Sequence, residues 1–438
     1  MAAGDRLRKC SDCLRETWGG QFTPSAAPVN SSAPTIAYLA PALTALESTF
    51  VYDELFAMER SGVHVVPVSV HRPARFLVGH DELLERTHYL YDGGFVPTLL
   101  RSAGAFIRRR RGHARGLRWL LADIMELGPH RPQSWKLIYQ YLVAARLADI
   151  LIANDCRHLH IHFAHVPAQI GMYASAMSGV PFTVMAHAND IFERGILLRQ
   201  KAMRAEKMLT ISEFNRAYLE RIGVPKEKLA VVRCGVSFKT CPAAMTTRNE
   251  GQGYRIGTLG RLVEKKGVDV LIRALAAMNP GPDSVELEIA GDGPLRADLE
   301  QLANELGIAG RVRFVGNLPH HAVRNWMHGL DAFVLACKRD ANGDMDGIPV
   351  VLMEAMSQSV PVISTRLSGI PELVVDGTTG LLAEQGDPID LAARIDQLLA
   401  SSELRARLAA AAVTHVEHEF GQQTNLDRLK DYSRATTR

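Results

Sequence analysis

Asp344-Met345-Asp346-Gly347-Ile348-Pro349-Val350-Val351-Leu352-Met353-Glu354-Ala355-Met356 is the stretch around which the chain is organised. An acidic loop passes through a glycine and a proline into an apolar run that contains a glutamate. Proline suits the first turn of a helix, where its missing N–H costs nothing. The spacing predicts a helix over 349–358, with Asp346 just before it and Glu354 inside it. Such a start presents free backbone N–H groups and the positive end of the helix dipole, a natural seat for a phosphate. Carboxylates beside a phosphate suit hydroxyl groups better than the anion itself. A phosphate next to hydroxyls gives the first expectation, a nucleotide-sugar site.

Working outward, the second half of the chain alternates strand and helix. Strands are predicted at 255–260, 285–290, 312–315, 332–335, 361–364 and 381–383, with further helices near 268–278, 294–306, 319–329 and 388–400. Val/Ile/Leu-rich strands in strict alternation with helices mark an α/β doubly wound parallel sheet. The first half repeats the pattern. A strand at 35–40, a helix over 46–60 and a strand at 63–70 form a βαβ opening. The rhythm resumes with strands at 159–163, 182–187, 208–211 and 229–234 and helices at 166–177 and 213–222, after a largely helical stretch from 81 to 155. A last helical stretch, 403–434, is expected to pack back on the first domain. The expected organisation is a mobile tail at 1–33, a first Rossmann-like domain at 34–239, a linker at 240–253, a second at 254–416 and a returning helix at 417–438. Ligands in such folds bind at the carboxyl ends of the strands, in the cleft.

Composition sets the outer limits. The 438 residues suffice for two cores, and 47% apolar with 22% charged residues is ordinary for a soluble globular protein. A formal charge of +3 does not argue for nucleic acid. The cysteines at 10, 13, 156, 234, 241 and 337 are too scattered for a disulfide framework, and the lone Cys10-Ser11-Asp12-Cys13 pair has no second pair to complete a zinc site. No run approaches the roughly 18 apolar residues of a membrane span. The first 33 residues lack the apolar core of a secretory signal, so a cytoplasmic location is expected. Arg108, Arg109, Arg110 and Arg111, followed by Arg115, Arg118 and Trp119-Leu120-Leu121, read either as a solvated face or as a patch resting on anionic lipid headgroups.

Several candidate residues fall at predicted strand ends. Gly260-Arg261-Leu262-Val263-Glu264-Lys265-Lys266-Gly267 follows the first strand of the second half, so Arg261 and Lys266 share one loop. Fixed cations there would stabilise negative charge on a departing diphosphate. Ala290-Gly291-Asp292-Gly293-Pro294 follows the next strand, with Gly291 allowing a sharp turn or a close approach and Pro294 expected to start a helix. In the first half, Ala186-His187-Ala188-Asn189-Asp190 closes a strand, and His187 is placed to reach sugar hydroxyls or, when protonated, a phosphate. His160 and His162, two apart on a strand, share a face and suggest a metal. For want of a carboxylate or cysteine partner they are expected to serve packing or hydrogen bonding, and no metal site is expected.

Together these motifs resemble the retaining GT-B glycosyltransferases of group 1, family 4. The resemblance covers nearly all of 35–434 and is strongest over 255–385. Pro41-Ala42-Leu43-Thr44, Glu47-Ser48-Thr49-Phe50, His162-Phe163-Ala164 and Ala186-His187-Ala188-Asn189-Asp190-Ile191-Phe192 look like the branch that builds exopolysaccharides such as colanic acid. The resemblance implies that Arg261 and Lys266 hold the donor pyrophosphate, that Gly260 and Gly291 belong to the donor nucleotide-sugar site and that Glu354 takes the ribose hydroxyls. It implies that Asp346 and His187 touch the donor sugar and that Gly347, Ile348 and Pro349 bring backbone against sugar and phosphate. His187, Arg261, Lys266 and Asp346 are then the residues that act on the reacting centre. Two departures stand out. Asp346 occupies a position usually held by Glu, and Ala40-Pro41-Ala42-Leu43 lacks the double glycine many relatives place near the acceptor.

The implied reaction moves a hexosyl unit from a UDP- or GDP-sugar to a lipid-linked oligosaccharide, with retained configuration and no cofactor. Arg108–Arg111 would then rest on the inner face of the cell membrane. A non-hydrolysing sugar-nucleotide epimerase and a non-catalytic nucleotide-sugar-binding partner are the alternatives. The first would need first-domain carboxylates placed for elimination. The second is motivated by Asp346.

Overall fold

The computed structural model describes residues 34–43, 49–73, 81–92, 94–108, 113–235, 253–278 and 285–434. The expected tail, all of the expected linker at 240–253 except Gly253, the Cys10/Cys13 pair and Arg109–Arg111 lie outside the described residues.

The first sheet has strands β1 (Thr35–Ala40), β2 (His64–His71), β3 (His88–Tyr91), β4 (His158–His162), β5 (Phe182–Ala186), β6 (Lys207–Thr210) and β7 (Leu229–Val231). They run parallel in the order β3-β2-β1-β4-β5-β6-β7. Its helices are α1 (Thr49–Arg60), α2 (Asp81–Arg86), α3 (Phe95–Arg108), α4 (His113–Leu127), α5 (Pro132–Ala153), α6 (Val166–Ser178), α7 (Ala188–Phe192), α8 (Leu198–Arg204) and α9 (Glu213–Arg221). β1 shows why the sheet must be covered on both sides. Ile36 to Ala40 are all buried, in line with a strand flanked by helices on each face. One face packs with α5 and α6 around Leu147, Ile161 and Ile170. The other packs with α1 around Tyr38, Leu55 and Met58.

The second sheet has β8 (Tyr254–Leu259), β9 (Val285–Ala290), β10 (Val312–Gly316), β11 (Ala332–Val334), β12 (Val362–Thr365) and β13 (Leu381–Ala383). Its order is β10-β9-β8-β11-β12-β13, again parallel. Around it lie α10 (Val268–Ala277), α11 (Arg296–Glu305), α12 (His320–His328), α13 (Val350–Ser357), α14 (Ile370–Leu373), α15 (Pro388–Leu399), α16 (Ser402–Phe420) and α17 (Gln422–Arg434). Both strand orders reverse next to the first strand of the sheet, which is the doubly wound arrangement with its switch point beside β1 and beside β8.

Three details depart from the sequence reading. β3, a four-residue edge strand, lies inside the stretch read as helical, because His88-Tyr89-Leu90-Tyr91 is too short to show a period. The helix after Pro294 starts two residues late, at Arg296. The stretch 403–434 is two helices broken at Gly421, whose ψ of 138° is extended rather than helical. The break turns α17 onto α1, where Leu426 and Leu429 join Leu55 and Met58 in one apolar cluster. No helix among the described residues is long and apolar enough to cross a membrane.

Candidate active site

The loops at the carboxyl ends of β8 and β11 are stitched together by charge. Lys266 Nζ donates to Asp346 Oδ2 at 2.7 Å, and Lys265 Nζ donates to Asp344 Oδ2 at 2.7 Å while standing 3.7 Å from Asp346 Oδ1. The Cys337 thiol also donates to Asp346 Oδ2, at 3.3 Å. Lys266 and Asp346 are 17% and 14% exposed, so the pair is shielded yet reachable. Burial works against the Lys266 ammonium, but Asp346 first, with Cys337 and Asp344 behind it, holds its pKa above the usual value. Burial would likewise raise the Asp346 carboxyl, and Lys266 and Lys265 outweigh it and hold it low. Both groups are therefore charged. Burial, then Asp346, pushes the Cys337 thiol well above its ordinary range, which keeps it protonated as a donor.

The backbone makes this approach close. Lys266 ends a short 3₁₀ turn, Glu264–Lys266, and Gly267 takes φ +62° to start α10. A Cβ on Gly267 would stand 1.8 Å from the Ala336 carbonyl oxygen, so only glycine lets the two loops meet there. Gly291, at φ +113°, would bring a Cβ to 2.0 Å from the Gly260 carbonyl. The Gly260 and Gly291 turns are thus in contact, with Lys266 lying along Gly260. Arg261 is exposed on the same loop, and its guanidinium has no ion-pair partner among the described residues.

α13 begins at Val350, with Pro349 as the N-cap residue at ψ 123° and no side-chain cap. The expectation that Pro349 lies in the first turn is off by one residue. Proline fixes φ but leaves ψ free, and here ψ is extended. Ile348 is buried, Gly347 stands between Asp346 and the helix, and Glu354 is half-buried on the second turn of α13. A Cβ on Gly347 would meet Ile211 Cδ1 at 2.8 Å and Ala188 Cβ at 3.3 Å. The loop before α13 thus touches the first sheet at the residue after His187.

His187 closes β5 and caps α7, its backbone N–H shared between both Asp190 carboxylate oxygens at 3.1 Å. Its ring lies among Phe50 (5.0 Å), Phe163 (4.6 Å) and His162 (6.0 Å, near-parallel). Its Nε2 is buried without a partner among the described residues. Burial, then His162 and His165, holds the imidazole pKa well below its usual value. Burial favours the neutral ring over the protonated form that a phosphate would ask for. A neutral Nε2 is a hydrogen-bonding group for a hydroxyl.

The sequence reading also lacked the partner of His160 and His162. It is Glu54, on α1. His162 Nε2 lies 3.1 Å and His160 Nε2 3.6 Å from Glu54 Oε1, and the Tyr38 hydroxyl donates to the same oxygen at 3.1 Å. Thr183 Oγ1 joins His158 Nε2 at 3.0 Å and His160 Nδ1 at 2.8 Å. The three ligand atoms lie within 4.8 Å, close enough to hold a metal ion. A ligating imidazole fixes its tautomer through its second nitrogen, and His162 Nδ1 is buried with no partner among the described residues. The arrangement fits a hydrogen-bonded network beneath His187 better than a metal centre. Its signal in the sequence was the four-residue spacing of Phe50 and Glu54, which puts Glu54 on the helix face that meets His187.

Comparison with known proteins places this architecture. The family model described as glycosyl transferases group 1 matches residues 246–415, and that described as glycosyltransferase family 4 matches 48–239. The chain is 32% identical over 314 residues to the putative colanic acid biosynthesis glycosyltransferase WcaL of Escherichia coli K12, covering 68% of this chain and 77% of that one. It is 33% identical over 311 residues to the amylovoran biosynthesis glycosyltransferase AmsK of Erwinia amylovora, covering 70% and 75%. Among solved structures, Anabaena HepE in complex with UDP superposes with a TM-score of 0.68 at 17% identity, over 92% of this chain and all of that one. The fold is that of the GT-B glycosyltransferases, two parallel-sheet Rossmann-like domains. The chain belongs to glycosyltransferase family 4, in group 1.

Proposed function

We propose that the protein transfers a hexosyl unit from a nucleoside diphosphate sugar to a lipid-linked saccharide, with retention of configuration, in exopolysaccharide assembly at the cytoplasmic face of the membrane. The observation that carries this reading is the shielded Lys266–Asp346 pair beside the exposed Arg261 and the start of α13. A diphosphate entering between Arg261 and Lys266 competes with Asp346 for the ammonium. As Lys266 turns to the phosphate, the Asp346 carboxylate is released to accept hydrogen bonds from sugar hydroxyls. Each partner is held charged until the donor arrives, so neither needs a proton change. Glu354 would take the ribose hydroxyls and the unpartnered His187 Nε2 a hydroxyl of the sugar.

In the chemical step the bond from the anomeric carbon to the diphosphate oxygen breaks and a bond to the acceptor oxygen forms on the same face. The acceptor proton passes to the departing phosphate. The transition state carries oxocarbenium character, as in glycoside hydrolysis. Fixed cations aimed at the leaving oxygen stabilise its charge without reorganising. The colanic acid and amylovoran biosynthesis roles in the names of WcaL and AmsK, and the UDP bound to HepE, support the polymer and donor classes.

The test incubates the protein with a panel of UDP- and GDP-sugars and a lipid-diphosphate-linked oligosaccharide, following free nucleotide and the anomeric configuration of the product by NMR. Acceptor-dependent nucleotide release with the donor's configuration preserved is expected. An inverted product removes retention, and an epimerised donor without transfer removes the function.

A further inference from the structure

We infer that α3 and α4 form an apolar face that inserts into the surface of an anionic lipid bilayer, with Trp135 at the start of α5 beside it. The inference deepens the proposed function, since it rests on the lipid-linked acceptor and names the surface that would hold the enzyme there.

Surface helices of a globular protein turn an apolar stripe to the core and polar residues to water. α3 does the reverse on its outer side. Thr98, Ser102 and Ala105 are buried, whereas Val96, Leu100 and Ile107 are 62%, 68% and 65% exposed. At about 100° per residue those three fall within about 40° of one another, opposite the buried face. α4 repeats the pattern. Gly116, Leu120 and Asp123 are buried, and Leu117, Leu121 and Met125 are 45%, 55% and 72% exposed along one side. Both helices pack on α5, whose Trp135 is 66% exposed. Seven of the twelve large apolar side chains exposed among the described residues therefore lie between 96 and 135.

Charge identifies the occupant. Residues 95–136 carry nine Lys and Arg against two acids, an excess of seven in a chain whose total is +3. One of the two acids, Asp123, is buried and occupied by Arg204 and Tyr173 at 2.7 Å, so it offsets nothing at the surface. Arg115, Arg118, Arg131 and Lys136 are exposed in the same stretch of chain as the apolar side chains. An apolar stripe accompanied by cations matches the boundary between acyl chains and anionic headgroups, where both parts are satisfied at once. A protein partner would have to supply an equally acidic and apolar surface, and a second copy of this chain would set cation against cation.

The full chain is mixed with vesicles of equal parts phosphatidylcholine and phosphatidylglycerol, or of phosphatidylcholine alone, and sedimented. Binding to the anionic vesicles is expected, weaker on neutral ones, with a blue shift of tryptophan emission that is lost in Trp135→Ala. Leu100→Glu with Leu121→Glu should lower vesicle affinity at least tenfold while leaving UDP or GDP binding and the melting temperature unchanged, because both side chains are exposed. Wild-type vesicle affinity in that double variant overturns the inference. So does sedimentation with neither vesicle, or a concentration-dependent dimer that the double variant abolishes. Vesicle binding lost while nucleotide still binds leaves the proposed function standing, and nucleotide binding lost while vesicles still bind removes that function alone.

Discussion

At the scale of single residues, the Lys266–Asp346 pair separates two kinds of failure. Lys266→Ala removes the cation proposed to face the leaving group and leaves Asp346 shielded without its partner. A turnover loss of about a hundredfold is expected, with donor affinity changed only a few-fold, since the lost contact strengthens in the transition state. Glu354→Ala should instead weaken donor binding about tenfold with turnover nearly kept; single-turnover kinetics with titrated UDP-sugar distinguishes the two. Equal kinetics for both variants would remove the assignment. Gly267→Ala tests the geometry rather than the chemistry. Its methyl would collide with the Ala336 carbonyl at 1.8 Å from a backbone at φ +62°. A stability loss of about 2–4 kcal/mol in urea titration is expected. The proposed glycines, Arg261, Lys266, Asp346 and Glu354 stand out in the sequence because they lie in the loops that follow strands or in the first two turns of a helix. Their pairing does not. Lys266 and Asp346 are 80 positions apart, and only the meeting of the β8 and β11 loops brings them together. Glu54 was hidden for the same reason, 108 positions from His162.

At the scale of elements, β4 is the sharpest example of what periodicity reads and misses. Its alternation predicts a strand, and the structure makes His158 to His162 one. Periodicity does not tell that all five side chains are buried, so that three imidazoles sit where a charge is costly. Burial lowers the pKa of His158 and, with Arg194 and Lys201, that of His165 to about 4, and burial lowers that of His162 to about 3. The unfolded chain protonates these rings near pH 6.5 and the folded chain does not, so stability is full above that value and falls as pH drops toward 4. For His158 the loss near pH 5 is about 2 kcal/mol. Asp190 works the other way. Burial raises its carboxyl to about 7, so the folded state gains from protonating it over the same range. These imidazoles, with His160 and His187 lowered likewise, outnumber Asp190 and Glu54, whose carboxyl burial also raises, and leave a net loss. The melting temperature is expected to fall between pH 7 and pH 5, and His158→Asn should reduce that fall. A flat profile would mean the rings charge in place, which burial at β4 does not allow. The edge strand β3 and the break at Gly421 were missed for a plainer reason, since four residues carry no period and one glycine does not announce a ψ.

At the scale of the whole molecule, alternation foretold the two sheets but not what ties them together. Glu372, on α14 beside the second sheet, accepts the backbone N–H groups of Glu213 and Phe214 at 3.0 and 2.9 Å, so it caps the start of α9 beside the first. The same carboxylate takes Arg233 Nη2 at 3.1 Å, and Arg233 Nη1 reaches Glu419 at 3.3 Å. The Asn425 side-chain oxygen accepts the Arg233 backbone N–H at 3.0 Å. Such a carboxylate is well suited to a helix start, where free N–H groups and the dipole both favour it. Hydrogen bonds to a charged group are worth about 1.5–3 kcal/mol each when one partner is lost, so Glu372 ties the sheets together with a few kcal/mol concentrated in one residue. It stands near the site, because Gly369, three residues earlier, would bring a Cβ to 2.8 Å from both Ile348 and Ser212. Glu372→Ala should therefore loosen the approach of the α13 loop to the first sheet without touching any residue proposed to hold the donor. A larger radius of gyration by solution scattering in the absence of nucleotide is expected, together with a raised donor KM and more hydrolysis of donor by water that the cleft no longer excludes. Glu372→Gln should lie between the two, since the amide oxygen still accepts from α9 but the charge facing Arg233 is gone. If both variants scatter and turn over as the parent does, the sheets are held by their apolar contacts and the Glu372 cap is local to α9.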